Sequence, residues 1–71
     1  MRDINLQIQV GKRIQEIRKE KVLEQQDLAA ACNYDKSYLS RIEAGKTDAR
    51  ISTYSTIAKG LGVDLIELFR F

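Results

Sequence analysis

The sequence predicts an all-α fold of five short helices, and three observations carry that expectation. Apolar residues recur at helical spacing along most of the chain, no proline interrupts it, and the four glycines fall mainly where such helices would end. The chain contains neither a low-complexity tract nor an internal repeat.

Leu6, Val10, Ile14 and Ile17 share one helical face and place a first helix at about residues 6–20, with Asn5 or Asp3 as its cap. Ile4, Leu6, Ile8 and Val10 also alternate as a short strand would, but the helical spacing continues past residue 10 and the alternation does not. A second helix is expected over Gln25–Cys32, burying Leu28 and Cys32, and a third over Lys36–Ala44, burying Leu39 and Ile42. Between them Asn33 tolerates a positive φ, and Asp35 suits the N-cap, where its carboxylate accepts the free amides of the next turn. Gly45 should close the third helix as a left-handed cap. A fourth helix covers about Ile51–Lys59 and stops at Gly60-Leu61-Gly62. The fifth starts at Asp64, with Asp64 and Glu67 as a carboxylate capping box, and runs to the end.

With 71 residues the chain reads as a single domain, 1–71, and one this short buries only about 60 to 65% of its unfolded surface. Disulfides and metals usually support such folds, yet Cys32 is the lone cysteine and there is no histidine. Flanked by Ala31 and spaced four from Leu28, Cys32 reads as a core residue. Without histidine, a metal-ligand cluster, a phosphate-cradling glycine loop or a base beside Cys32, no enzyme is expected, and no cofactor or metal. The N-terminal M-R-D-I-N-L-Q-I-Q-V lacks the apolar run of a secretory signal and no window would span a bilayer, so the expectation is a cytoplasmic protein without a membrane partner. Twelve Lys and Arg against ten Asp and Glu give a net charge of +2, too mild to announce a polyanion by itself. Glu16, Glu20 and Glu24, with Lys12 and Arg13 nearby, read as a solvated helix face.

Charge placement is more telling. On a helical wheel the third helix has Leu39 and Ile42 on its apolar side, with part of Tyr38; Lys36, Ser37, Ser40, Arg41 and Ala44 lie opposite. Two short helices joined by about three residues, with small Ala29 allowing a close crossing, form the helix-turn-helix arrangement. Its second helix enters the major groove, where Lys and Arg donate to guanine O6 and N7 and Ser bonds either way.

From V10-G-K-R-I-Q-E-I-R18, through L23-E-Q-Q-D-L-A29 and Y38-L-S-R-I-E-A-G-K46, to I57-A-K-G-L-G-V-D-L-I-E-L-F69, the chain resembles the λ-repressor-like (XRE-type) DNA-binding domain over about 60 of its 71 residues. N33-Y-D-K-S-Y-L-S40 is similar to the controller proteins of restriction-modification systems. The resemblance implies a compact five-helix domain that binds double-stranded DNA. It implies that Lys36, Ser37 and Arg41 read bases, and that Tyr38 and Ser40 reach the backbone or neighbouring bases. Gln25 would bond a phosphate and brace the recognition helix, and Lys46 and Thr47 would contact phosphate from the loop beyond it. Arg18 would pair with Glu43, which the wheel sets at the edge of the buried side.

Departures from the family pattern carry their own expectations. Val22 stands where a glycine is usual, and a β-branched residue dislikes positive φ, so the first helix should end by another geometry. Glu24 replaces the usual Ser or Thr cap and sets negative charge near a phosphate. Ala49 and Arg50 replace Pro and Ser; Arg50 removes a cap and adds a phosphate contact.

The fifth helix, D64-L-I-E-L-F-R-F71, carries more apolar residues than one face can bury, so residues 64–70, through Leu65, Ile66 and Phe69, are expected to pair two copies as a homodimer. A two-fold dimer would read two half-sites about 34 Å apart. The leading expectation is a sequence-specific transcription regulator binding a palindromic operator, with residues 36–44 in the major groove. The second class is a helix-turn-helix protein-interaction module such as an antitoxin or adaptor, which Glu24 and the modest charge favour. An activator would need a surface for RNA polymerase, and Glu24 with Asp27 is the acidic patch offered for it.

Overall fold

The computed structural model describes residues 3–71. Four α-helices, α1 (Ile4–Glu20), α2 (Gln25–Cys32), α3 (Lys36–Glu43) and α4 (Ile51–Leu61), precede one 3-10 turn, Leu65–Phe69. None of these helices is long and apolar enough to cross a membrane. Val10, Ile14, Leu28, Leu39, Ile42, Ile57 and Leu68 are fully enclosed and form the core. Cys32 belongs to that core, its thiol directed at the Thr56 carbonyl at 3.7 Å.

Residues 4–10 are helical, so the strand-like alternation is not used, and Asp3 caps α1 by accepting from the Leu6 amide at 2.9 Å. The buried stripe of α1 differs from the expected one. Gln7 takes the inward position and Leu6 is exposed, because the buried face also takes in Gly11 and Arg18, which centres it on Gln7 and Ile14 and leaves Leu6 just past its edge. Gly11 is not near a helix end either. It sits inside α1 at the crossing with the C-terminus of α3, where a Cβ would meet the Ile42 carbonyl oxygen at 2.7 Å and the Glu43 carbonyl as well. Only a residue without a side chain lets the two backbones approach this far.

The end of α1 corrects the expectation for Val22. This residue does take a left-handed φ of 58°, with Val22 N donating to Lys19 O and Leu23 N to Arg18 O, both at 3.0 Å. The glycine-type ending is kept despite the β-branched side chain, which points into solvent at 88% exposure and so meets no neighbour. Asn33 (φ 61°) turns the chain out of α2, and Asp35 caps α3 by accepting from Tyr38 N at 2.8 Å. Gly45 (φ 72°) follows α3, its amide on Ile42 O and that of Lys46 on Arg41 O.

The C-terminal segment departs most. Helix α4 runs through Gly60 to Leu61 and ends on Gly62 (φ 75°). The expected fifth helix is a 3-10 turn, and Asp64 makes no side-chain cap bond. Glu67 instead faces Arg13 of α1, whose Nη2 lies 3.6 Å from its carboxylate and whose Nε donates to its carbonyl at 2.8 Å. Five residues drawn to an external arginine and anchored by Leu68 in the core tighten into 3-10 geometry. Arg13 is accordingly half-buried and tied down, not part of a solvated face.

Candidate nucleic-acid interface

Helix α3 docks by one flank. Leu39, Ile42 and Glu43 are buried, whereas Lys36, Ser37, Ser40, Arg41 and Ala44 are exposed along the other side. Tyr38 lies between them, half-buried. The Asp35 cap and the turn at Gly45 hold the two ends of this rod.

Behind the exposed flank lies a buried ion pair. Arg18 Nε and Nη2 donate to the two carboxylate oxygens of Glu43 at 2.9 and 3.1 Å, and Arg18 Nη1 donates to Leu23 O at 2.8 Å. Gln25 Nε2 donates to the same carboxylate at 3.0 Å. A buried carboxylate is stable only when its lone pairs are met, and here a fork from α1 and an amide from α2 meet them. Three helices are therefore joined at one group.

Gln25 stands at the first position of α2, half-buried, with one amide hydrogen engaged by Glu43 and a second available. A cleft of about 390 Å³ opens there, lined by Arg18, Glu24, Gln25, Gln26 and Lys36. Glu24 occupies the N-cap position with its backbone amide on Asp27 Oδ2 at 3.0 Å. Beyond α3, Lys46 and Arg50 are exposed, Thr47 is half-buried, and Arg50 precedes α4 without a side-chain cap bond.

Sequence reasoning missed two groups beside this surface. Gln7 is 4% exposed and its Nε2 reaches Gly45 O at 3.4 Å, so α1 touches the loop that carries Lys46 and Thr47. Its place on the same face as the small Gly11, four residues on, was the available signal. Tyr34 packs edge to face with Tyr38 at a centroid separation of 5.1 Å, a contact that its i,i+4 spacing across the Asp35 cap foreshadows.

Of the residues expected to pair two copies, Ile66 is 61% exposed, whereas Leu65 and Phe69 are half-buried against the chain's own core. Phe69 stacks at right angles on Tyr54, centroids 6.1 Å apart.

The profile of the helix-turn-helix family HTH_3 matches residues 14–68. The chain belongs to this family. It is a DNA-binding transcription regulator of the XRE type, not an enzyme. The Control protein C.MunI from Mycoplasma sp is 38% identical over 66 residues, spanning 92% of this chain and 89% of that protein. The restriction-modification controller protein C.AhdI from Aeromonas hydrophila superposes with a TM-score of 0.84 at 31% identity, covering 87% of this chain and 94% of that one. The wild-type restriction-modification controller protein C.Esp1396I gives 0.83 at 38% identity, covering 90% and 82%.

Proposed function

We propose that this HTH_3 protein is a homodimeric, sequence-specific regulator that binds a palindromic operator with residues 36–44 in the major groove. Lys36, Ser37, Ser40 and Arg41 read base edges; Gln25, Tyr38, Lys46, Thr47 and Arg50 hold phosphates and fix the register. One observation carries this reading: α3 spends its apolar flank on the core and leaves its cationic, hydroxyl-bearing flank uncovered. The similarity to C.MunI, C.AhdI and C.Esp1396I supports a controller of restriction-modification genes.

The ion-pair node supports the phosphate role of Gln25. Its amide is pinned by Glu43, so its free hydrogen is aimed before DNA arrives, and little side-chain entropy remains to be lost. Ile66 supports the pairing role, since it leaves a large apolar side chain mostly exposed on an otherwise tethered turn. Leu65 and Phe69 would frame that contact from its buried edge. Paired heads would read two half-sites about 34 Å apart, the spacing of one helical turn of DNA.

Selection from a random duplex pool tests the proposal. A palindromic consensus, lost with Arg41→Ala, is the expected result. Failure to enrich any sequence, with the protein folded, would refute it and favour the protein-interaction reading.

A further inference from the structure

Tyr34 has no place among the residues assigned to DNA, yet it leads to one of them through a series of contacts. Its backbone amide donates to Ala29 O at 2.9 Å, the bond that closes α2, so the residue starts from a fixed point. Its ring meets Tyr38 at 88° with centroids 5.1 Å apart. The guanidinium carbon of Arg41 lies 5.7 Å from the centroid of that same Tyr38 ring, and Arg41 Nη1 donates to Ser37 Oγ at 3.3 Å. Arg41 is exposed, whereas both tyrosines are half-buried.

An exposed arginine ordinarily loses much rotamer freedom when it docks on a base edge, and one restrained beforehand loses less. Here a hydroxyl and an aromatic ring restrain it, and that ring is itself braced by a second one rooted in the turn. We propose that Tyr34 is a positioning residue for base reading: through Tyr38 it holds Arg41 in its reading posture and so sets discrimination between sequences more than bulk affinity. This rests on the proposed role of Arg41 at base edges and deepens it.

The test compares Tyr34→Leu and Tyr34→Phe with the unaltered protein. The readout is the ratio of affinities for a duplex enriched from a random pool and for a mixed-sequence duplex of equal length. Tyr34→Leu should lower that ratio about two- to fivefold, the range of one exposed cation–π contact, while mixed-sequence affinity falls by less than enriched-sequence affinity and Tyr34→Phe restores the ratio. In an Arg41→Ala background Tyr34→Leu should do nothing further. An undiminished ratio in folded Tyr34→Leu, or an equal drop in the Arg41→Ala background, overturns the inference. A measurement on the unaltered, DNA-free protein needs no variant: the Arg41 Nε–Hε NMR signal should be ring-current shifted and ordered relative to that of Arg50, and equivalence of the two signals also overturns it. If Arg41→Ala leaves the enriched sequence unchanged, base reading by Arg41 itself falls; if that sequence changes but Tyr34→Leu has no effect, only the positioning role falls.

Discussion

Arg18 meets Glu43 edge-on, its Nε and Nη2 donating to both oxygens of a carboxylate that has none of its side-chain surface exposed. Removing one partner strands the other inside the protein. Glu43→Ala should therefore cost about 3–5 kcal/mol in urea unfolding, a large share of the margin of a domain this small. The double replacement Arg18→Met with Glu43→Leu should recover most of that loss, since no charge is then left unpaired. A cost below about 1 kcal/mol for Glu43→Ala would show that the pair is solvated in solution.

Gly11→Ala opposes two effects. Alanine is the better helix former by about 1 kcal/mol, but its Cβ would press into the Ile42 and Glu43 carbonyls. Those atoms are backbone and cannot swing aside. The expected outcome is a net loss of about 1–3 kcal/mol in the urea midpoint analysis, opposite in sign to the propensity change.

At Val22 the sign reverses. The left-handed φ of 58° costs a β-branched residue about 1–2 kcal/mol, and the exposed side chain returns no packing. Glycine relieves the strain and loses roughly 0.5–1 kcal/mol to the entropy of the unfolded chain. Val22→Gly should thus raise stability by about 0.5–1 kcal/mol and lift the thermal midpoint. A lower midpoint would contradict the strain argument.

Rising alkaline pH should lower the stability of the domain in two stages. Burial pushes the Cys32 thiol above its ordinary value, and burial, followed by the nearby Asp48 carboxylate and Tyr38, does the same to Tyr54. Both groups are neutral when protonated, so the unfolded chain gives up these protons at lower pH than the folded one. Stability from this source is complete below about pH 8.5 and falls as pH rises through the cysteine and then the tyrosine range. Urea midpoints followed upward from about pH 8 should decline, with Cys32→Ala flattening the lower part and Tyr54→Phe the upper. Unchanged slopes in both variants would remove this account.

The proposed phosphate contacts make a separate, salt-based expectation. Lys46→Ala should weaken binding to every duplex alike and reduce the slope of log K against log salt by about 0.9. Arg41→Ala should chiefly alter sequence preference. A Lys46→Ala protein with an unchanged salt slope would place that side chain off the backbone.

Helix positions α1 to α4, the Asp35 cap, the Asn33 turn and the outward flank of α3 were all legible, because each follows from local spacing or from a short-range backbone bond. The Arg18–Glu43 pairing was legible only through family resemblance, since nothing local couples residues so far apart in the chain. What escaped the sequence reading was set by tertiary contact. Gln7 displaced Leu6 because the close crossing at Gly11 turns the buried face of α1 toward α3, where Gly45 O supplies a bond. Glu67 left its expected capping role because Arg13 reaches it from α1. Val22 kept a backbone shape that its own chemistry opposes, because Leu23 N still finds Arg18 O.

Gly11 and Arg13 stand nearly back to back on α1, one seating α3 and the other tying the last turn. Between them they fasten the recognition helix and the C-terminal turn to opposite sides of one helix. Joined at Ile66, two such chains would act as a calliper with a fixed gap, intolerant of an operator lengthened or shortened by one base pair at its centre.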